Sequence, residues 1–222
     1  MPFVTPWPSA THSAAEAARQ LKARPGEAWL RQPPEERQRT LAEALSPYHH
    51  AAAWEVEYCV AARATHWAAE PLEQALGHAL VGLDPADNQR LREVLCDEAL
   101  DQAAWLYQLA CEFGIACETL RLRWSAIAHQ PCWKFHRDTM PLRLVTTYRG
   151  PTTQWTSDEA LLGLTTAGPE HTLNAAAPGA ALVMPGKLAP APLAPGVIHR
   201  SPPLETSDAR LLLVVDMMAT VP

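Results

Sequence analysis

The sequence holds no Gly-x-Ser-x-Gly elbow, no phosphate-binding loop and no dinucleotide fingerprint. That removes the usual signatures of serine hydrolases, P-loop NTPases and nicotinamide enzymes. Its five cysteines, Cys59, Cys96, Cys111, Cys117 and Cys132, form no Cys-x-x-Cys pair. They stand in apolar or helical surroundings, so reduced thiols are expected in place of a disulfide framework or a zinc finger. No apolar run reaches the roughly 18 residues of a membrane span. Residues 1–8 carry neither a basic nor an apolar stretch, so no signal peptide is expected and the expected location is cytoplasmic. Basic charge is not in excess either: 18 Lys and Arg face 24 Asp and Glu, a formal charge of −6. A general nucleic-acid binder usually carries a basic face, so that class is not expected. A local basic groove stays open, because Arg121, Arg123, Lys134, Arg137, Arg143 and Arg149 cluster in sequence.

What the chain does have is core-forming content. Of its 222 residues, 48% are hydrophobic and 19% charged, enough to bury a sizeable core. Composition shifts near residue 118, dividing a helical N-terminal region, 1–117, from a strand-rich core, 118–222, with the two expected to form one compact unit. Ser13-Ala14-Ala15-Glu16 reads as a capping box opening a helix that Pro25-Gly26 closes. Residues 28–31 suit a strand. Pro33-Pro34-Glu35-Glu36 opens a second helix that Pro47 ends. Residues 51–69 read as helical, and Asp84-Pro85 begins the longest helix, ending at Gly114. Beyond Glu118 the period changes to two. Strands are expected at 120–128, 132–138, 142–149, 180–184, 197–201 and 210–216, with a short helix at 157–164. Many short antiparallel strands behind a helical region give an α+β chain with a jelly roll at its C-terminal end. A stiff loop with four prolines, Pro185, Pro190, Pro192 and Pro195, is expected to approach the barrel mouth.

The chemistry sits in Cys132-Trp133-Lys134-Phe135-His136-Arg137-Asp138. On an extended strand, His136 and Asp138 share a face. An imidazole and a carboxylate so placed are two of the three ligands of a 2-His-1-carboxylate triad. Alone the triplet is weak, since roughly one His-x-acid triplet is expected by chance at this composition. His199, 61 positions past Asp138, can return across a jelly roll to complete the set, or can be a half-buried histidine satisfied by a carbonyl. Arg210 opens an apolar strand. Facing inward it must be paired, and a dicarboxylate would pair it; at a strand mouth, solvent, Asp208 or Glu205 would serve as well. Other candidates carry less. His49-His50 suits a helix end, and His66 with Glu70 reads as a surface pair. Cys132 lies too far from His136 to be an obvious ligand. Of Trp124, Trp133 and Trp155, at least two are expected in the core and the rest at a mouth.

The order of these elements resembles the iron(II)/2-oxoglutarate-dependent dioxygenase superfamily, above all its prolyl-hydroxylase-like branch. His136-x-Asp138, the strand to Tyr148, Gly150 to Trp155, Pro178-Gly179 before an apolar strand, His199 with Pro202-Pro203, and Arg210 carry the resemblance. It covers about residues 118–218. Within that superfamily the chain also resembles a bacterial family known only as a domain of unknown function, with a Cys-Trp-Lys-Phe-His-x-Asp signature. The resemblance implies a double-stranded β-helix in which His136, Asp138 and His199 hold iron(II) and Arg210 holds the far carboxylate of 2-oxoglutarate. It further implies oxidation of a C–H bond in a substrate, small molecule or protein side chain, that the sequence does not identify. Thr146 and Tyr148 share a strand face and could hydrogen-bond the co-substrate. Arg143, Arg149 and Lys134 permit an anionic substrate, or are solvated. The alternative is a non-enzymatic zinc-binding protein of metal homeostasis using the same three ligands.

Overall fold

The computed structural model describes residues 13–32, 35–45, 53–62, 67–80, 83–205 and 209–218. Helix α1 (Ala14–Ala23) starts at Ser13, whose side chain accepts the Glu16 N–H, as its capping box requires. Strand β1 (Trp29–Arg31), α2 (Glu35–Leu45), β2 (Trp54–Ala61), α3 (Glu70–Ala79) and α4 (Pro85–Glu112) follow. Asp84 caps α4 by accepting the Ala86 N–H at 2.9 Å. The helix ends in a Schellman motif: the N–H of Gly114, at φ 65°, donates to Cys111 O, and that of Ile115 to Ala110 O.

The remaining strands are β3 (Thr119–Ile127), β4 (Leu142–Arg149), β5 (Gln154–Thr156), β6 (Asn174–Ala175), β7 (Ala181–Pro185), β8 (Ile198–Arg200) and β9 (Arg210–Met218). They build two antiparallel sheets, ordered β1-β7-β4-β9-β3-β2 and β6-β5-β8. The fold is α+β, a double-stranded β-helix carrying its N-terminal helices on the larger sheet. β1 and β2, both from before residue 118, are the outer strands of that sheet.

Side-chain alternation decides what each face of the large sheet meets. Leu120, Leu122 and Trp124 of β3, Leu144 of β4 and Leu211, Leu213, Val215 and Met217 of β9 form one core with Leu91, Leu95, Ala99, Leu106 and Leu109 of α4. Each such leucine contributes about 1.5–3 kcal/mol on burial. The opposite face carries Val145, Leu182, Met184, Leu212 and Val214, packed with Val197 and Trp155 of the small-sheet side. β4 and β9 are therefore buried on both faces, and the functional groups lie between the sheets.

Four expectations change. Residues 54–61, read as helical, form β2: Val56 and Val60 are buried while Glu55, Glu57 and Cys59 are exposed, a period of two that the alanine-rich flanks disguised. α3 was not foreseen, although Pro71 stands in its first turn. Residues 132–138 are no regular strand; a single bridge joins His136 to His199. The short helix within 157–164 is one 3-10 turn, Glu159–Leu161. His49, His50 and His66 lie outside the described residues. All five cysteines are free. Among the described residues no helix is long and apolar enough to cross a membrane.

Candidate metal centre

His199 lies on β8, and its backbone N–H and C=O both pair with those of His136 at 2.9 Å. The Ser201 N–H donates to Cys132 O, so the 132–136 segment runs beside β8 as a further, irregular strand. Phe135 is buried with Leu161 and Ile198, and the Arg200 guanidinium lies 4.4 Å from its ring centre. Packing thus holds Phe135 inward and leaves His136 on the other side. The loop 186–196 closes over the next residues: the Lys187 N–H donates to Asp138 O at 2.8 Å, and Arg137 Nε to Gly196 O at 2.9 Å. Gly186 permits this approach, because a Cβ there would lie 2.2 Å from Met140 O and 2.8 Å from Asp138 O.

His136, Asp138 and His199 bring one ligand atom each to within 4.8 Å of one another. His136 Nδ1 lies 2.9 Å from Lys134 O, and His199 Nδ1 3.2 Å from Val197 O. Carbonyls can only accept, so each Nδ1 carries hydrogen, and in the neutral ring each Nε2 is left with its lone pair, the form a metal takes. Both Nε2 atoms face Asp138, at 3.5 Å from Oδ1 and 3.2 Å from Oδ2. Asp138 is 8% exposed, and its buried Oδ2 has no hydrogen-bond partner. Burial opposes ionisation of Asp138, yet the adjacent His136 and His199 rings and the Arg143 charge hold its carboxyl well below the usual range. A stranded carboxylate oxygen between two Nε2 lone pairs is the donor set of a metal ion, and the residues present fit one.

Arg210 opens β9 on the same face as Asp216, six residues on. It is 2% exposed; Nη2 donates to Thr147 and Thr153 hydroxyls at 3.3 and 3.4 Å, and Nε has no partner. Among the described residues no carboxylate pairs with it, and Asp208 lies outside them. Burial lowers its pKa to about 10, so the guanidinium stays charged near neutrality.

Thr146 and Tyr148 do not reach this space. β4 turns Arg143, Val145 and Thr147 toward the site and Thr146 and Tyr148 toward α4. There the Tyr148 hydroxyl donates to Glu98 Oε1 at 2.7 Å. Thr147 and Thr153 hold the positions that Thr146 and Tyr148 were expected to fill. Four of the six basic residues are paired with carboxylates: Arg121 with Asp216, Arg123 with Glu55, Arg137 with Glu159, and Arg143 with both Asp138 and Asp216. Arg143 is therefore not free for an anionic substrate. Trp124 is buried against α4 and Trp155 packs between the sheets, while Trp133 is 51% exposed. Cys132 is exposed and outside the ligand cluster.

A family described as "Protein of unknown function (DUF1826)" matches residues 26–216. No curated protein matches the sequence. Among solved structures, the dioxygenase for auxin oxidation from rice is similar, with a TM-score of 0.59 at 15% identity, over 93% of this chain and 78% of that one. Its counterpart from Arabidopsis thaliana, solved with 2-oxoglutarate, gives 0.53 at 10% identity, over 95% and 90%. JOX2, in complex with 2OG, Fe and JA, gives 0.50 at 13% identity, over 91% and 71%. At these identities the likeness is one of fold.

Proposed function

The chain belongs to the DUF1826 family of proteins of unknown function, and from its site we propose that it is an iron(II)/2-oxoglutarate-dependent oxygenase. The observation that carries this reading is Arg210, a buried guanidinium between the sheets with no carboxylate of its own among the described residues. A zinc-holding protein needs His136, Asp138 and His199 but has no use for such a charge. A co-substrate with two carboxylate groups does: one end chelates the metal and the other supplies the missing anion. The rice, Arabidopsis and JOX2 structures share the fold, and two of them were solved with 2-oxoglutarate.

In this reading His136 Nε2, Asp138 Oδ2 and His199 Nε2 hold iron(II). Iron(II) with 2-oxoglutarate supplies oxygen activation coupled to decarboxylation, yielding succinate and an oxidised substrate. Arg210 binds the far carboxylate, helped by the hydroxyls of Thr147 and Thr153. Leu212, Val214, Val145 and Val197 keep the inter-sheet space dry, which strengthens the Arg210 contact. The half-exposed His136 marks the side open to substrate. The substrate is a small molecule or a protein side chain.

The test is oxygen-dependent conversion of 2-oxoglutarate to succinate by iron-reconstituted protein. The proposal expects turnover, even without the native substrate at a slow uncoupled rate, and none in Asp138→Ala. Equal rates in both proteins would rule it out.

A further inference from the structure

Arg143 touches the metal centre without supplying a ligand. Its Nη1 donates to Asp138 Oδ1 at 2.8 Å, while Nε and Nη2 donate to the two oxygens of Asp216 at 2.5 and 3.0 Å. Asp216 is fully buried and also accepts from Arg121 Nη2 at 2.7 Å. Strand register sets this row: Arg143, Asp216 and Arg121 are direct neighbours on β4, β9 and β3. The two-point contact with Asp216 fixes the plane of the guanidinium. Its remaining arm then reaches Asp138 Oδ1, and Oδ2 is the oxygen left without a partner.

We propose that Arg143, locked by Asp216, is a positioning residue that makes Asp138 bind the metal through Oδ2 alone. The proposal rests on the metal reading above. Its consequence is a count of positions. In a six-coordinate ion, two imidazoles and one carboxylate oxygen leave three positions: two for the 2-oxo acid and one for oxygen. A carboxylate free to turn and bind through both oxygens removes one of them.

Cobalt(II) serves as the probe, titrated into metal-free protein and followed by visible absorption, with 2-oxoglutarate added afterwards. Wild-type protein is expected to bind one ion. Arg143→Met should weaken cobalt binding about 10–100-fold, the usual effect of removing a hydrogen-bond partner of a metal ligand. It should also shift the cobalt bands and weaken 2-oxoglutarate binding to the loaded protein. Arg143→Lys keeps the charge but cannot hold both carboxylates, and should recover part of the affinity. Arg121→Met strips Asp216 without touching Asp138, and should lower stability while leaving the cobalt bands in place. An unchanged spectrum and affinity in Arg143→Met, or the same spectral change in Arg121→Met, overturns the role of Arg143 alone. Wild-type protein that binds no cobalt overturns the metal reading with it. Should Arg143→Met fail to fold, infrared difference spectra of cobalt-loaded wild-type protein decide. Widely split carboxylate stretches, as for one-oxygen binding, support the proposal, and narrowly split ones overturn it.

Discussion

His136 and His199 exchange both of their backbone hydrogen bonds at 2.9 Å, and their ring centres lie 4.4 Å apart. Two histidines 63 positions apart in sequence thus form a backbone-hydrogen-bonded antiparallel pair that holds their imidazoles side by side. Only Asp138 arrives on a loop, and the loop 186–196 holds it.

That hold can be tested at Gly186. A methyl group there meets the carbonyl oxygens of Met140 and Asp138, which are backbone and cannot swing aside. Gly186→Ala should destabilise the protein by about 2 kcal/mol or more and weaken metal binding. Urea unfolding and cobalt titration measure the two effects. A fully stable variant with unchanged metal affinity would show that the loop does not hold Asp138.

Arg210→Leu separates the co-substrate from the metal. A charge-assisted contact contributes about 1.5–3 kcal/mol, so 2-oxoglutarate affinity should fall roughly 10–100-fold. Metal affinity should not change. Since an unpaired buried charge is removed, the ligand-free variant should be no less stable than wild type. Calorimetric titration and thermal unfolding check both signs.

Metal affinity should depend on pH through His136. Its hydrogen bond with Asp138 raises its pKa above the ordinary 6.5, with burial opposing and the Lys134 carbonyl adding to the rise. A protonated imidazole cannot bind a metal. Affinity is therefore full above the raised pKa and falls as pH drops through it, by about tenfold per pH unit for one proton displaced. Asp138, with its pKa lowered, stays ionised across this range. Cobalt titrations between pH 5.5 and 8.5 should place the onset above 6.5; affinity independent of pH would contradict this.

Tyr148→Phe should act on stability alone. The lost hydroxyl leaves buried Glu98 with Arg37 and Gln102 as its remaining partners. A cost of about 1.5–3 kcal/mol follows for a hydrogen bond to a charged group. 2-Oxoglutarate affinity should stay within about threefold of wild type, and a larger drop would return Tyr148 to the co-substrate site.

That His136, Asp138 and His199 come together was legible in the sequence, because their order along the chain, with Arg210, matches the superfamily the chain resembles. Which face of β4 meets the site was not legible. Leu142, Leu144 and Val145 make both faces apolar, so alternation could not choose between Thr146 and Thr147. The pairing of Arg143 with Asp216 lies 73 residues apart and exists only through register. β2 was hidden for a different reason: Val56 and Val60 signal a strand only once Glu55, Glu57 and Cys59 are seen to face outward.

The most direct measurement is anaerobic titration of metal-free protein with iron(II) and then 2-oxoglutarate, followed by visible absorption. One iron per chain is expected, with a weak charge-transfer band that appears with 2-oxoglutarate and vanishes in Arg210→Ala. No band, with zinc held tightly in place of iron, would contradict the oxygenase reading.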